Sequence, residues 1–204
     1  MAIVKLNNQA VKNATSFGSI SSLGSMTFIK KLTASSSASL SFVDGSSSVV
    51  LDNTYKEYLF TFNNIHPATD AVKLKFNLSI DSGSNYNVTK TATNFYAGHT
   101  EADLTGFGYD SGLAQSTADA FITVGDIGSA ADESTSGYLH LFNPSSTTFV
   151  KHFISAATIY GSNPQSQITY GAGYGNTTSA IDAVQFKMSS GNIDAGDICL
   201  YGIA

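Results

Sequence analysis

Apolar and polar residues alternate with period two along much of this chain. Residues 72–80 (VKLKFNLSI) carry the pattern most clearly. Val72, Leu74, Phe76, Leu78 and Ile80 fall on one side, and Lys73, Lys75, Asn77 and Ser79 on the other. Successive side chains of a strand point to opposite faces, so this run predicts a strand with one buried face. The end of the chain reads the same way. Val184, Phe186 and Met188 alternate with Gln185 and Lys187, and the more apolar run 198–203 follows a polar link that contains Gly191 and Gly196. Further strands are predicted at 26–32, 40–43, 56–62, 86–96, 120–124, 138–142, 149–160 and 167–170. Several are joined by Gly-, Ser- or Asn-rich links, and His66-Pro67 and residues 81–85 supply turn chemistry. Residues 113–120 offer room for one helical turn, and nothing else asks for a helix.

Many short strands without helical periodicity predict an all-β protein, an antiparallel β-sandwich of jelly-roll type. Residues 1–48 differ in texture. They are rich in Ser, Asn and small residues, with apolar pieces at Ile3-Val4, Val11, Ile20, Leu23 and 26–32. They are expected to form an extended N-terminal arm or attachment region, 1–48, ahead of a β-sandwich domain, 49–204. A chain that finishes inside a core strand needs its own terminus to complete the fold.

Composition narrows the function. Of 204 residues, 42% are hydrophobic, enough for a globular core, but only 12% are charged. All ten basic residues are lysines and the net charge is −5. With no arginine, the preferred reader of phosphates and guanine edges, a nucleic-acid partner is not expected. The N-terminal residues lack a long apolar segment, so neither a signal peptide nor membrane insertion is expected. The lone cysteine, Cys199, sits in the last apolar strand and reads as a small buried hydrophobe. Between 97 and 136 lie seven acids (Glu101, Asp103, Asp110, Asp119, Asp126, Asp132 and Glu133) and no lysine. This stretch is expected to form loops at one end of the sandwich.

Catalytic patterns are not apparent. No G-x-S-x-G elbow occurs. The run Gly171-Ala172-Gly173-Tyr174-Gly175 lacks the spacing of a dinucleotide fingerprint and reads as a flexible loop or a close-packed strand. His66, His99, His140 and His152 lack zinc-type spacing, and only His99, Glu101 and Asp103 would share a face as cation ligands on an extended segment. Asp81, Gly83 and Asn85 resemble a fragment of a calcium loop but read better as a turn. No catalytic residue, cofactor or metal site is therefore nominated, and the chain is expected not to be an enzyme. The remaining candidates are aromatic residues beside glycines, Phe107, Tyr109, Tyr170 and Tyr174, together with Tyr96. In loops, their faces would stack on sugars or pack on a protein partner.

Several segments also carry a resemblance. They are the 55–64 strand followed by Ile65-His66-Pro67-Ala68-Thr69-Asp70, the run 83–91 (GSNYNVTKT), and 137–144 (GYLHLFNP) with 149–152 (FVKH). The closing 183–188 strand with Ser190-Gly191-Asn192-Ile193 and Leu200-Tyr201-Gly202-Ile203 completes the set. Over residues 55–203 the chain resembles a family of small structural proteins of tailed, chiefly marine, bacteriophages. The resemblance implies a virion-associated β-sandwich carried on capsid surfaces, fibres or tails, made in the host cytoplasm and located in the virion. It implies other virion proteins of the capsid or tail as partners, and a homo-oligomer, by analogy a homotrimer. It brings no active-site residues. The chain has no heptad repeat or β-helical stalk before the domain, which favours a capsid decoration or short-fibre protein. The alternative is a tail-fibre-type module that binds a receptor or host-surface glycan.

Overall fold

The computed structural model describes residues 26–114, 116–117 and 119–204. The apolar pieces foreseen at residues 3–23 lie outside them. Thirteen strands and no helix are found among the described residues. They are β1 (Met26–Thr33), β2 (Leu40–Val43), β3 (Glu57–Pro67), β4 (Leu74–Ser79), β5 (Lys90–Thr100), β6 (Thr105–Tyr109) and β7 (Ser116–Thr117). β8 (Ala120–Phe121), β9 (Thr135–Phe142), β10 (Lys151–Tyr160), β11 (Gln165–Gly175), β12 (Ala183–Met188) and β13 (Ile193–Ile203) follow. The large sheet runs β1-β13-β3-β9-β10-β11-β5-β6, with β7 also on β5, and the small sheet runs β2-β12-β4-β8. All pairings between these strands are antiparallel.

Eight of these strands make the basic sandwich. Renumbered in chain order, β1, β2, β3, β4, β8, β9, β12 and β13 give sheets 1-8-3-6 and 2-7-4-5, the jelly-roll order. The chain crosses from one sheet to the other at nearly every step, so the sheets cannot form separately. Two insertions complicate this plan. β5, β6 and β7 leave between β4 and β8, and β10 and β11 leave between β9 and β12. They extend only the large sheet, beyond β9. Strands β1 and β2, which fall within residues 1–48, pair with β13 and β12 and so belong to the two sheets.

The core follows from strand parity. Tyr58, Phe60 and Phe62 of β3, Leu74, Phe76 and Leu78 of β4, and Val184, Phe186 and Met188 of β12 all point between the sheets and are buried. Phe186 is the centre. The rings of Phe42, Phe60, Phe62 and Phe76 surround it with centroids 5.2 to 6.5 Å away. Such edge and tilted contacts add roughly 0.5–1.5 kcal/mol each to the gain from burial. The end strand β13 lies between β1 and β3 and buries Ile198 and Leu200.

Several boundaries depart from the expected ones. Ile80 is exposed, because β4 stops at Ser79 and the Asp81 carboxylate organises a turn. Its Oδ1 accepts from Asn85 N and its Oδ2 from Asn85 Nδ2. Those hydrogen bonds hold the Asp81 carboxyl below its usual range. This is the turn the residues suggested. In place of a helical turn over 113–120, one turn closes at Ala114 N to Asp110 O, and two-residue strands follow at 116–117 and 120–121. The acidic stretch 97–136 is not a set of loops only. It contains the end of β5, all of β6, β7 and β8, and the start of β9.

Candidate functional site

The outward face of the large sheet gathers most of the exposed large apolar residues. Register defines two rows across it. One runs Tyr109–Phe95–Tyr170–Ala156–Tyr138–Thr61 over β6, β5, β11, β10, β9 and β3. The other runs Thr93–Ala172–Ile154–His140–Leu59–Tyr201–Phe28, from β5 to the far edge at β1. Every strand of the sheet path brings an apolar side chain to this face, interleaved with polar ones such as Thr61, Thr93 and His140, whose Nε2 lies 2.9 Å from Glu57 Oε2. Phe95 stacks on Tyr170 with centroids 5.3 Å apart and planes 22° off parallel, and Phe107 lies 6.3 Å from Phe95. At the other end Phe28 meets Tyr201 edge-on at 5.6 Å. Phe107 keeps 79% of its surface exposed and Tyr109 61%.

All four nominated aromatics, Phe107, Tyr109, Tyr170 and Tyr174, lie on this face. They are on strands β6 and β11 rather than in loops. The sequences TGFGY and YGAGYG are period-two patterns in which glycine alternates with a larger residue. Their glycines point inward, and at Gly171 and Gly173 there is no room for a side chain. A Cβ on Gly171 would lie 2.6 Å from both Asn94 Oδ1 and Ser155 Oγ. One on Gly173 would lie 2.3 Å from the Thr91 carbonyl oxygen. The structure brings Tyr109 and Tyr174 to one open concavity of about 640 Å³, with Phe142, His152, Ile154 and Ala172. Phe107 and Tyr170 lie outside it on the same face. Sequence reasoning missed Phe95, Tyr138 and Ile154, although their polar-side parity on amphipathic strands was available. Tyr96, one residue from Phe95, faces the opposite way.

The other candidate groups do not assemble a reactive site. His99 Nε2 lies 3.9 Å from Asp103 Oδ1, but Asp103 stands almost fully exposed in the β5–β6 turn. No group of three or more His, Cys, Asp or Glu side chains is placed to hold a metal among the described residues. Two of the acids are spent on lysines of β4 and its approach. Asp126 pairs with Lys73, and Asp119 Oδ2 accepts from Lys75 Nζ at 2.6 Å. Burial acts to raise the Asp119 carboxyl, but the Lys75 hydrogen bond and the charges of Lys75 and Lys187 hold it below its usual range. Cys199 is buried and unpaired.

Two lysines are unexpectedly buried. Lys151 and Lys90 both oppose Gly175 across β10, β11 and β5, so they flank it on the inward face. Lys90 Nζ donates to the Val88 carbonyl at 3.1 Å and lies 5.3 Å from the Phe76 ring centre. Burial pushes its pKa down to about 7, against the opposing pull of Asp119. Lys151 Nζ donates to the carbonyls of Phe149 at 2.7 Å and Thr177 at 3.4 Å, and burial lowers it too. Their carbonyl partners and packing give them a structural role.

No family model, no curated protein and no solved structure matches the chain.

Proposed function

We propose that this chain is a non-enzymatic bacteriophage virion structural protein, a capsid-surface decoration or short-fibre protein attached through its N-terminal region. The observation that carries the reading is the outward apolar face of the large sheet. Soluble monomers rarely expose an apolar patch of this extent without a partner. Eight strands about 4.8 Å apart give the face a breadth of roughly 34 Å, wide enough to meet a protein partner. Copies of the chain, three by preference, bury this face against one another. The rows of aromatic rings are suited to such packing, because aromatic residues dominate interface cores. The jelly roll is a fold used by viral capsid proteins and by lectins, and this supports the reading only as analogy.

The position of β1 fits attachment. It forms one edge of the large sheet. Light scattering of the purified chain is expected to give about three times its 21.4 kDa mass. Mass spectrometry of purified particles is expected to find it in fixed copy number. A strictly monomeric chain that is absent from particles would sink the proposal.

A further inference from the structure

We propose that the inward side of the sheet extension carries a second site, which binds a neutral saccharide. This inference stands independently of the virion reading. β4 of the small sheet still packs on the near part of this extension, its Phe76 ring lying 4.9 Å from that of Phe153 on β10, but not on its far end at β6. An open cavity of about 430 Å³ remains there, with Tyr96, Thr100, Thr105, Asp110, Gln165 and Gln167 on its walls. That size suits a small ligand, and aromatic walls with a few convergent polar groups are the usual composition of such sites.

Three features specify the ligand chemistry. The first is a platform. Tyr96 faces inward and opposes Gly108 on β6. A Cβ on Gly108 would stand only 3.1–3.2 Å from the Tyr96 ring and hydroxyl, so the ring lies against bare backbone while it also lines the cavity. Gly98 and Gly106 keep the same floor flat. The C–H bonds on one side of a sugar ring carry partial positive charge and suit the negative face of such an aromatic ring.

The second feature is unmet hydrogen bonding. Gln167 is more than nine-tenths buried, and its Oε1 has no hydrogen-bond partner. Buried amides are nearly always satisfied; Oε1 is enclosed beside Gly125, and a turn of the amide about its broad terminal torsion is what brings it to a ligand hydroxyl at this wall. Asp110 is held in place because its Oδ1 accepts from Gly112 N at 2.9 Å and Leu113 N at 3.1 Å. Its Oδ2 is left to accept from a ligand.

The third feature is charge. No lysine lines the cavity, Asp110 is acidic, and Glu101 and Asp103 occupy the adjoining β5–β6 turn. Phosphates and acidic sugars are therefore disfavoured. A lone carboxylate with amides and hydroxyls is a poor cation cage, and the walls are too polar for a lipid. A neutral polyhydroxylated ring meets all three conditions.

Saturation-transfer-difference NMR on the full chain tests this with glucose, galactose, mannose, N-acetylglucosamine and glucuronate. At least one neutral sugar is expected to give a signal, and glucuronate none. Tyr96→Ala and Gln167→Leu are each expected to weaken that sugar's binding about tenfold, the value of one good contact. Tyr109→Ala and Tyr174→Ala, on the outward face, are expected to leave it unchanged. If either inward variant melts early, Gln165→Ala at the half-exposed wall replaces it, with the same expected loss. Silence from every neutral sugar overturns the proposal. So does binding that survives the inward variants or disappears with the outward ones.

Discussion

The two outward faces of this sandwich are built alike and end up opposite in chemistry. On the small sheet, the outward positions of β2, β12 and β4 are Ser41, Gln185 and Lys187, and Lys75 and Asn77. Gln185 Nε2 donates to Ser41 Oγ at 3.2 Å, and Lys75 pairs with Asp119. Most polar groups of that face find partners within the chain, Asn77 Oδ1 being the exception. On the large sheet the corresponding positions are Phe28, Tyr201, Leu59, Tyr138, Ile154, Tyr170, Phe95 and Tyr109. They have few polar groups to offer and no sheet in front of them. The same period-two rule produced both faces. One is largely finished within the chain, and the function proposed above assigns the other to a partner.

The largest way to break the comparison is to remove β13. That strand serves both sides of the large sheet, with Ile198 and Leu200 in the core and Tyr201 and Ile203 outside. It also joins β1 to β3. Deleting residues 198–204 is expected to abolish cooperative folding, read as loss of a thermal transition by circular dichroism. A folded, soluble truncation would overturn the architecture.

Next in size is the core between the two faces. Phe186→Ala leaves a cavity among four aromatic neighbours and is expected to destabilise by about 3–5 kcal/mol in urea unfolding. A loss under 1 kcal/mol would mean the sheets are not locked through this ring.

The buried lysines give a pH dependence of a few kcal/mol. Lys90 titrates near 7 when folded and near 10.5 when unfolded, so between these values the unfolded chain binds more protons. Stability therefore rises with pH from about 7 towards 10, by at most about 1.4 kcal/mol per unit from this group. Lys151 acts in the same direction. Burial raises the Tyr58 phenol, so above pH 10 the folded state keeps a proton that the unfolded state loses, and stability falls again. Denaturant midpoints measured from pH 6 to 11 are expected to pass through a maximum, and Lys90→Met is expected to flatten the rising limb. A falling limb between 7 and 10 in the wild type would contradict the burial of these groups.

The smallest effect on stability is the sharpest test of the faces themselves. Phe107→Asp and Tyr109→Ser on the outward face of the large sheet are expected to change monomer stability by only about 0.5 kcal/mol. They are expected to dissociate the assembly in light scattering. Lys187→Ser on the small-sheet face is expected to leave the assembled mass intact. Equal behaviour of the two sets would erase the distinction drawn between the faces.

The alternation was legible wherever large apolar residues carried it. β2, β4 and β12 fall within a residue or two of the expected bounds, and the all-β class follows from them. Legibility failed where glycine took the inward positions. In β6 and β11 a hydrophobic alternation became a glycine–aromatic one, which mimics a loop. In β11 the Cβ clashes at Gly171 and Gly173 show that the reason was close packing. Phe107 and Tyr109 were therefore picked out by residue type and misplaced by element, whereas Tyr170 ends the expected strand 167–170 and Tyr174 lies in a run that reads as a loop or a close-packed strand. Tyr96 was grouped with them although it faces the other way. A one-residue difference in parity cannot be read until the strand's existence and register are known.

By itself, then, the sequence determined the strand-rich class, the aromatic core positions and the existence of the closing strand, because period-two burial is a local property of the chain. Only the tertiary structure decided that β5, β6, β10 and β11 extend one sheet alone, that six strands of that sheet bring aromatic residues to one outward face, and that Tyr96, Asp110 and Gln167 meet on the other. Those outcomes depend on pairing between strands distant in the sequence, and no local pattern encodes which strand becomes whose neighbour.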